Sequence, residues 1–428
     1  MQKNLKNKKK NKSTLQDKNL TQRPLVYIRR LLSLASCYNV FMEKKRFRIG
    51  IDARFYGPLG KGLGRYTQEV VDNVLKIDRE NEYIIFLSKD NFDEFHSDHP
   101  RHKKVLADVR WYSLAEQLKM PFIIFREKLD LMHFPHFNVP VFCPTKFVVT
   151  IHDLILTRFP TMRATTLGPI LYWIKNMGYR IGIKLAVWRA KKIIAISKYT
   201  KDDIINQFKV NPSKIEVTYE GVANLSGGHD TLFAAKLNPD EILSDYCILE
   251  PYLLYVGNAY PHKNLEFLIK VFNKLHRKRS DLKLVLVGKE DYFYARLKKF
   301  AKDNASEAVI FPGYVPDREL EVLFKHAAAY VFPSRYEGFG LPPLEAMSRG
   351  CPVISSSATC LPEVLGDAAL YINPVNEVEL EGTIDFFLDN DDLRQQLIQK
   401  GYERVKLYDW WECARLTTQI YERVLETT

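Results

Sequence analysis

Short apolar segments alternate with amphipathic ones from residue 46 to about residue 405, and this alternation limits the possible folds more than any other property of the chain. The apolar segments have the length and composition of buried strands, whereas the segments between them have helical periodicity. The pattern predicts an α/β protein with two tandem Rossmann-like domains, each a doubly wound parallel sheet. Such sheets bind ligands at the carboxyl ends of their strands, so we expect the functional site in the cleft between the domains.

The predicted strands form two sets, separated by an irregular stretch at 223–250 that we interpret as the interdomain connection. The first set lies at 47–53, 83–87, 105–112, 131–134, 147–151, 193–196 and 215–219. The second set lies at 252–256, 282–287, 309–311, 329–332, 352–355 and 369–372. The predicted domains are therefore an N-terminal one at 42–235, a C-terminal one at 236–405, and a closing helical segment at 406–428 that packs back toward the N-terminal domain.

The net charge of +12 is concentrated in the first 41 residues, which hold ten Lys or Arg and one Asp. The remaining 387 residues carry only +3, a nearly neutral balance that argues against a nucleic-acid partner. Residues 1–41 are polar and basic enough to predict disorder. Two interpretations stay open for them: a dispensable extension before Met42, or a basic arm that contacts an anionic membrane surface.

Cysteine and histidine spacing predicts no metal centre. The six cysteines include no C-x-x-C pair, which excludes a zinc framework of that kind and favours a reducing, cytoplasmic location. His96, His99 and His102 have metal-like spacing but lie in a polar stretch broken by proline, which predicts a solvated loop. His133 and His136 are interpreted as residues that line the cleft.

The densest group of chemically useful residues lies at 332–347. A predicted strand ends at Phe332, a glycine-containing loop follows, and a helix opens near Pro342, so free backbone amides and the helix dipole could bind an anion. Glu337 in the loop and Glu345 in the helix could accept hydrogen bonds from sugar or ribose hydroxyls. Taken alone, either glutamate is more simply an exposed charge.

This string resembles the glutamate–seven residues–glutamate motif of retaining glycosyltransferases of family 4, which have the two-domain GT-B fold. Segments 350–355 and 361–369 resemble the continuation of that motif, and the resemblance spans about residues 46–405. It implies that Glu337 lies near the transferred sugar and Glu345 holds the nucleotide ribose. It also implies that three backbone amides face the diphosphate or the sugar, those of Phe339, Gly340 and Leu341.

Three further segments are similar to motifs of the same family. The loop 255–265 implies that Lys263 neutralises the leaving diphosphate, although Asn258 and His262 replace the arginines that relatives often carry. Gly62 and Gly64 resemble the glycine loop that approaches the donor phosphate and the acceptor. His152 precedes an aspartate at the end of a predicted strand, which resembles the His-Asp site of the family and implies a catalytic-site role.

We therefore expect a retaining hexosyltransferase of cell-surface polysaccharide or lipopolysaccharide synthesis. The expected donor is GDP-mannose, with UDP-sugars next, and the expected acceptor is a glycan or a lipid-linked glycan. No cofactor or metal is expected. Alternatives are a UDP-sugar-dependent transferase or glucan synthase of the same fold, a sugar-nucleotide epimerase, and a non-catalytic membrane- or nucleic-acid-binding protein. The basic, aromatic stretch 163–192 fits either a helix at the inner face of the cell membrane or an ordinary domain helix.

Overall fold

The computed structural model of the protein describes residues 45–58, 61–159, 169–222, 238–304 and 306–427. The predicted extension at 1–41 and the stretch 223–237 of the predicted connection lie outside the described residues. Within the described ranges, each helix is too short or too polar to cross a membrane.

The N-terminal domain is built on a seven-stranded sheet in which all neighbouring strands are parallel. Its strands are β1 (Arg48–Asp52), β2 (Glu82–Leu87), β3 (His102–Leu106), β4 (Leu131–Phe134), β5 (Phe147–Ile151), β6 (Lys192–Ala195) and β7 (Ile215–Val217). Its helices are α1 (Lys61–Ile77), α2 (Leu114–Arg126), α3 (Ile155–Arg158), α4 (Pro169–Arg189) and α5 (Lys198–Phe208). The strand order is β3-β2-β1-β4-β5-β6-β7, so the direction of winding reverses between β1 and β4. A doubly wound sheet opens a ligand crevice at this position.

The C-terminal domain repeats this architecture with a six-stranded parallel sheet, in the order β10-β9-β8-β11-β12-β13. Its strands are β8 (Tyr252–Val256), β9 (Lys283–Val287), β10 (Val309–Gly313), β11 (Ala329–Phe332), β12 (Val353–Ser356) and β13 (Ala369–Ile372). Its helices are α6 (Pro239–Asp245), α7 (Leu265–His276), α8 (Tyr292–Asp303), α9 (Asp317–His326), α10 (Leu341–Ser348), α11 (Leu361–Leu365), α12 (Glu377–Leu388) and α13 (Asp391–Val405). The switch point lies between β8 and β11. The predicted fold class is confirmed.

The last helix, α14 (Trp410–Glu426), packs against α1 of the N-terminal domain. Its Tyr421 hydroxyl lies 2.6 Å from Nδ1 of His133 on β4, and both side chains are buried. Gly221, which follows β7, leaves room for this helix, because an added Cβ would lie 2.3 Å from the backbone nitrogen of Trp410. Residues 410–426 therefore complete the hydrophobic core on one face of the first sheet.

The opposite face of the first sheet has its own hydrophobic cluster, covered by α2 and α4. Met120 and Ile124 of α2 and Ile183 and Val187 of α4 pack there against the strands. The two helices therefore lie on the same side of the N-terminal domain.

Four expectations from the sequence need correction. The third strand lies at 102–106 rather than 105–112, because β3 is an edge strand that bonds only to β2 and can expose its lysines. Helix α1 already begins at Lys61, so Gly62 and Gly64 are helical rather than part of a loop. Residues 239–245, expected to be irregular, form α6 because Asn238 caps it and Pro239 suits its first position. His133 is not a cleft residue, because it is fully buried between Tyr421 and Thr150.

Candidate active site

The cleft between the domains contains a cavity of about 810 Å³, a size typical of small-ligand sites. Its walls come from segments that follow the carboxyl ends of strands in both sheets. The N-terminal domain contributes Tyr112, His136 and Asp153, and the C-terminal domain contributes Tyr260, His262 and Arg335.

Glu337 and Lys263 form a buried ion pair beside this cavity. Nζ of Lys263 donates to Oε1 of Glu337 over 2.6 Å, and the Ser334 hydroxyl donates to the same oxygen. The two side chains are only 11% and 9% exposed, so each charge depends on the other for compensation. Lys263 ends a short 3₁₀ turn (Pro261–Lys263) after β8, and Glu337 follows β11, so neighbouring strands bring the two charges together. A ligand phosphate could compete with Glu337 for the Lys263 ammonium.

Helix α10 opens beside this pair. It begins at Leu341 after Gly340, whose φ of +94° lies in the left-handed region that favours glycine. Within the described part of the chain no side chain caps α10. Pro342 and Pro343 carry no N–H, so the backbone amides that could bind an anion at this helix start are those of Gly340 and Leu341. The Phe339 ring is buried, with its centroid 5.3 Å from that of Tyr408. Its side chain therefore anchors the loop, and Phe339 can offer a ligand only its backbone groups.

Glu345 is half-buried on α10 and forms an ion pair with Arg65 of α1. The pair joins the two domains across the cleft. The sequence offered a weak signal for Arg65, which directly follows Gly64, but no property of the sequence alone links it to Glu345. A ribose at Glu345 would have to share this carboxylate with the guanidinium.

His152 lies at the end of β5 with both ring nitrogens occupied. Nε2 is 2.8 Å from the Pro135 carbonyl oxygen and Nδ1 is 3.2 Å from Oε1 of Glu220. Both partners are acceptors, an arrangement that favours the doubly protonated ring, in which both nitrogens donate. Burial opposes this charge, but the hydrogen bond and the negative charge of Glu220 outweigh it and raise the pKa of His152. Because both nitrogens are occupied, the ring offers no free nitrogen to a substrate.

Asp153 and His136 line the cavity next to His152. Burial raises the pKa of the Asp153 carboxyl, and the neighbouring Glu337 charge raises it further. Burial, reinforced by the charge on His152, lowers the pKa of His136 well below its usual range. The N-terminal domain thus places the Asp153 carboxyl group within electrostatic range of both Glu337 and Lys263.

The two glycines of the first loop motif have different surroundings. A Cβ added at Gly64 would lie 2.1 Å from the carbonyl oxygen of Gly57 and 2.7 Å from that of Phe55. At Gly62 an added Cβ would meet no described atom within 4 Å. Gly64 is therefore required by packing of the chain on itself, whereas Gly62 is exposed on the first turn of α1.

The structure thus brings together Glu337, Lys263 and the start of α10, and places Glu345 against Arg65. Sequence reasoning missed Arg65 and Glu220 as members of the site, and it included Asp153 in the His-Asp motif without assigning it a role. His262 lines the cavity, and burial lowers its pKa to about 4, so it does not replace the charge of an arginine. Over the described ranges, no group of three His, Cys, Asp or Glu side chains is arranged to hold a metal ion.

Two family models match this chain. The model described as Glycosyltransferase Family 4 matches residues 60–223, and the model described as Glycosyl transferases group 1 matches residues 249–404. The matches fall on the first and the second sheet. They define a hexosyltransferase with the GT-B fold. The chain belongs to the family 4 glycosyltransferases.

The chain is similar over most of its length to the O-antigen chain mannosyltransferase B of Escherichia coli. The two are 28% identical over 378 residues, which cover 84% of this chain and 96% of the relative. The O-antigen chain mannosyltransferase RfbU of Salmonella typhimurium is 32% identical over 243 residues, which cover 56% of this chain and 64% of that protein.

Solved structures share the fold at lower identity. The sucrose-phosphate synthase of Thermosynechococcus elongatus superimposes with a TM-score of 0.68 at 19% identity, covering 90% of this chain and all of that one. WaaG, a glycosyltransferase involved in lipopolysaccharide biosynthesis, superimposes with a TM-score of 0.64 at 14% identity, covering 87% and 99%. At these identities the likeness establishes the fold alone.

Proposed function

We propose that this protein transfers mannose, with retention of configuration, from GDP-mannose to a glycan or lipid-linked glycan in cell-surface polysaccharide synthesis. The observation that carries hexosyl transfer is the Lys263–Glu337 pair beside the open start of α10, which together offer a cation and backbone amides for a diphosphate. Mannose is supported by the names of the relatives, two of which are O-antigen mannosyltransferases.

The proposed reaction breaks the bond between C1 of the sugar and the diphosphate oxygen, which leaves with the electron pair. The acceptor hydroxyl oxygen forms the new bond to C1 on the same face, and its proton goes to an oxygen of the departing diphosphate. Lys263 and the backbone amides of Gly340 and Leu341 at the start of α10 stabilise the charge that develops on this leaving group. Because they can supply this compensation, we propose that transfer needs neither a metal ion nor a resident cofactor.

The donor is tested by calorimetric titration of the full chain with GDP, UDP, ADP and dTDP, followed by transfer assays with the matching sugars. We expect selective GDP binding and transfer of mannose at a rate unchanged by EDTA. Selective UDP binding with transfer of another hexose would keep the enzyme class and overturn the donor. Binding of none of the four would contradict the proposed nucleotide site.

We also propose that the enzyme works in the cytoplasm at the inner face of the membrane, where a lipid-linked acceptor is accessible. The outward face of α4 carries the exposed apolar residues Trp173, Met177, Ile181 and Trp188. Exposed cations accompany them, and Nζ of Lys184 lies 4.8 Å from the Trp188 ring centroid. The sequence contains no acidic residue between Asp153 and Asp202, so this face suits an anionic surface.

Helix α2, on the same side of the domain, has a second exposed apolar stripe. Leu114, Leu118, Phe122 and Phe125 are between 61% and 87% exposed and recur at helical spacing. Lys119 and Arg126 are exposed on the same helix. An apolar face with nearby cations is the arrangement expected for a helix that lies in a membrane interface.

Vesicle sedimentation tests this location. The full chain should bind vesicles of phosphatidylglycerol and phosphatidylethanolamine at low salt, and bind phosphatidylcholine vesicles poorly. The double variant Leu118→Ser/Phe122→Ser should lose most of this binding. Val378→Ser/Phe386→Ser is the matched control, because both residues are exposed on α12 of the other domain. A chain that starts at Met42 separates the basic extension from the helices: binding that disappears with residues 1–41 alone would contradict the role of α2 and α4.

A further inference from the structure

The first turn of α5, in the N-terminal domain, is bonded to the loop that carries Glu337, in the C-terminal domain. The Ser197 hydroxyl donates to the Gly338 carbonyl oxygen over 2.8 Å, and the Thr200 hydroxyl donates to the same oxygen over 3.2 Å. Ser197 also caps α5 by accepting from the Thr200 amide. The role of Ser197 as a helix cap explains its bond to the Thr200 amide. It does not explain the two hydroxyl bonds to Gly338, which lies in the other domain.

A second contact with α5 is made by Tyr336, the residue directly before Glu337. The Tyr336 hydroxyl donates to Oδ2 of Asp203 on α5 over 2.6 Å, and both groups are buried. The other Asp203 oxygen accepts from Nε of Arg158 over 2.9 Å, so the carboxylate is fixed from two directions. The residues directly before and after Glu337 are therefore both bonded to α5.

A third contact ties α5 to the C-terminal domain. The carboxylate of Glu363, on α11, accepts from the backbone amides of Lys198 and Tyr199 over 2.7 and 2.9 Å. These are free amides at the positive end of α5, where an acidic group is stabilised. The Glu337 loop and α11 thus both dock on the same turn of the N-terminal domain.

The approach is close enough to require glycine at position 338. A Cβ there would lie 2.0 Å from the carbonyl oxygen of His152, at the end of β5. The loop therefore passes directly over the His152 backbone, and its path depends on how the two domains meet.

We propose that this α5 clasp, formed by Ser197, Thr200 and Asp203 with Tyr336 and Gly338, positions Glu337 for the reaction. The inference rests on the proposed sugar transfer. The bonds from Lys263 and Ser334 to Glu337 lie within the C-terminal domain, whereas the clasp sets the backbone on either side of Glu337 relative to the N-terminal domain. Loss of the clasp should therefore disturb alignment of sugar and acceptor while leaving the nucleotide contacts in place.

Two variants of the clasp and two matched variants test this role. Tyr336→Phe removes the hydroxyl that meets Asp203, and Thr200→Val removes the hydroxyl that meets Gly338. Thr200→Ser retains a hydroxyl and should therefore retain the kcat that Thr200→Val loses. Tyr83→Phe is the control, because it removes a similar Tyr–Asp bond, 2.7 Å to Asp78, that lies within one domain.

We expect Tyr336→Phe and Thr200→Val to lower kcat about 10-fold to 100-fold, the cost of a small misalignment, with the Kd for GDP changed less than about threefold. Thr200→Ser and Tyr83→Phe should stay near the wild-type kcat. Unchanged kcat in both clasp variants, or an equal loss of GDP affinity, would overturn the proposal.

Hydrogen exchange of the 336–340 amides gives a readout that does not depend on the sugar. Both clasp variants should exchange faster there than wild type and Tyr83→Phe, and equal rates in all four proteins would overturn the clasp. A wild-type chain that transfers no mannose would instead contradict the proposed function, and the exchange rates would still decide on the clasp.

Discussion

The two walls of the cleft differ in how their functional residues are arranged along the chain. On the C-terminal side, Glu337, the start of α10 and Glu345 all come from one stretch of 16 residues, 332–347, and Lys263 follows the neighbouring strand. On the N-terminal side, Arg65, the adjacent His152 and Asp153, and Glu220 come from three separate segments. A contiguous segment can supply a charge-binding site through its own turn and helix, whereas the opposite wall exists only after the first sheet has formed.

Glu337→Gln tests the C-terminal wall most directly. Because Glu337 is buried against Lys263, we expect kcat to fall about 100-fold to 1000-fold, comparable with removal of a preorganised electrostatic contact. The control is Glu381→Gln, which removes a Lys–Glu pair of the same 2.6 Å length that is exposed on the same domain. Initial rates at saturating donor measure the effect, and equal rates for the two variants would contradict a role for Glu337.

Gly64→Ala and Gly62→Ala test whether the N-terminal glycines serve packing or ligand binding. The Cβ at position 64 would meet backbone atoms, so we expect a loss of about 1–3 kcal/mol in the free energy of unfolding. The Cβ at position 62 has free space on a helix, so that variant should be neutral or gain up to about 1 kcal/mol. Chemical denaturation measures both values. A stable Gly64→Ala protein that has lost only donor affinity would restore the phosphate-binding interpretation.

Glu345→Ala probes the contact that joins the two walls. If Glu345 holds the ribose, the Kd for GDP should rise about 10-fold, the loss expected for a charge-assisted hydrogen bond. Arg65→Ala removes its partner across the cleft and should change the Kd less, because it leaves the carboxylate free for ribose. Titration calorimetry distinguishes them, and unchanged affinity in Glu345→Ala would remove this residue from the ribose role.

Glu220→Gln should produce a smaller, pH-dependent effect on the N-terminal wall. The raised pKa of His152 contributes stability that is complete below about pH 6.5, the usual value for histidine, and is lost as pH rises through the raised value. The buried His133 and His136 have lowered pKa values, and their contribution is lost as pH falls below about 6.5. The Tm of wild type should therefore exceed that of Glu220→Gln by about 2 °C or less below pH 6.5, and the difference should disappear as pH rises through the raised pKa of His152. A difference independent of pH would contradict the charged His152–Glu220 pair.

Much of the fold could be predicted because its determinants are local. Strands β8, β11 and β13 have the bounds that their apolar runs indicate, since a buried parallel strand is apolar on both faces. The predictions are wrong where a residue or strand distant in sequence determines the local structure. His133 has the spacing of a cleft residue, but α14, almost 290 residues later, covers it. The polar residues of β3 form a strand only because β2 offers an edge.

The candidate site shows the same difference between residues with local determinants and residues with distant partners. The string 332–347 could be interpreted because residue type and order define its turn and helix. Arg65, Glu220 and the α5 clasp could not be found, because each acquires its role from a residue more than 60 positions away. Ser197 shows this clearly: it caps α5 within its own turn, whereas its bond to Gly338 joins residues 141 positions apart.

The position of α14 has a consequence for how the protein matures during translation. All seven strands of the first sheet have left the ribosome about 190 residues before α14 is made. At about 5–20 residues per second, this face of the nascent domain stays uncovered for roughly 10–40 s. The N-terminal half cannot complete its core until the second half has been synthesised, so the interval calls for a chaperone or for transient cover from another part of the nascent chain.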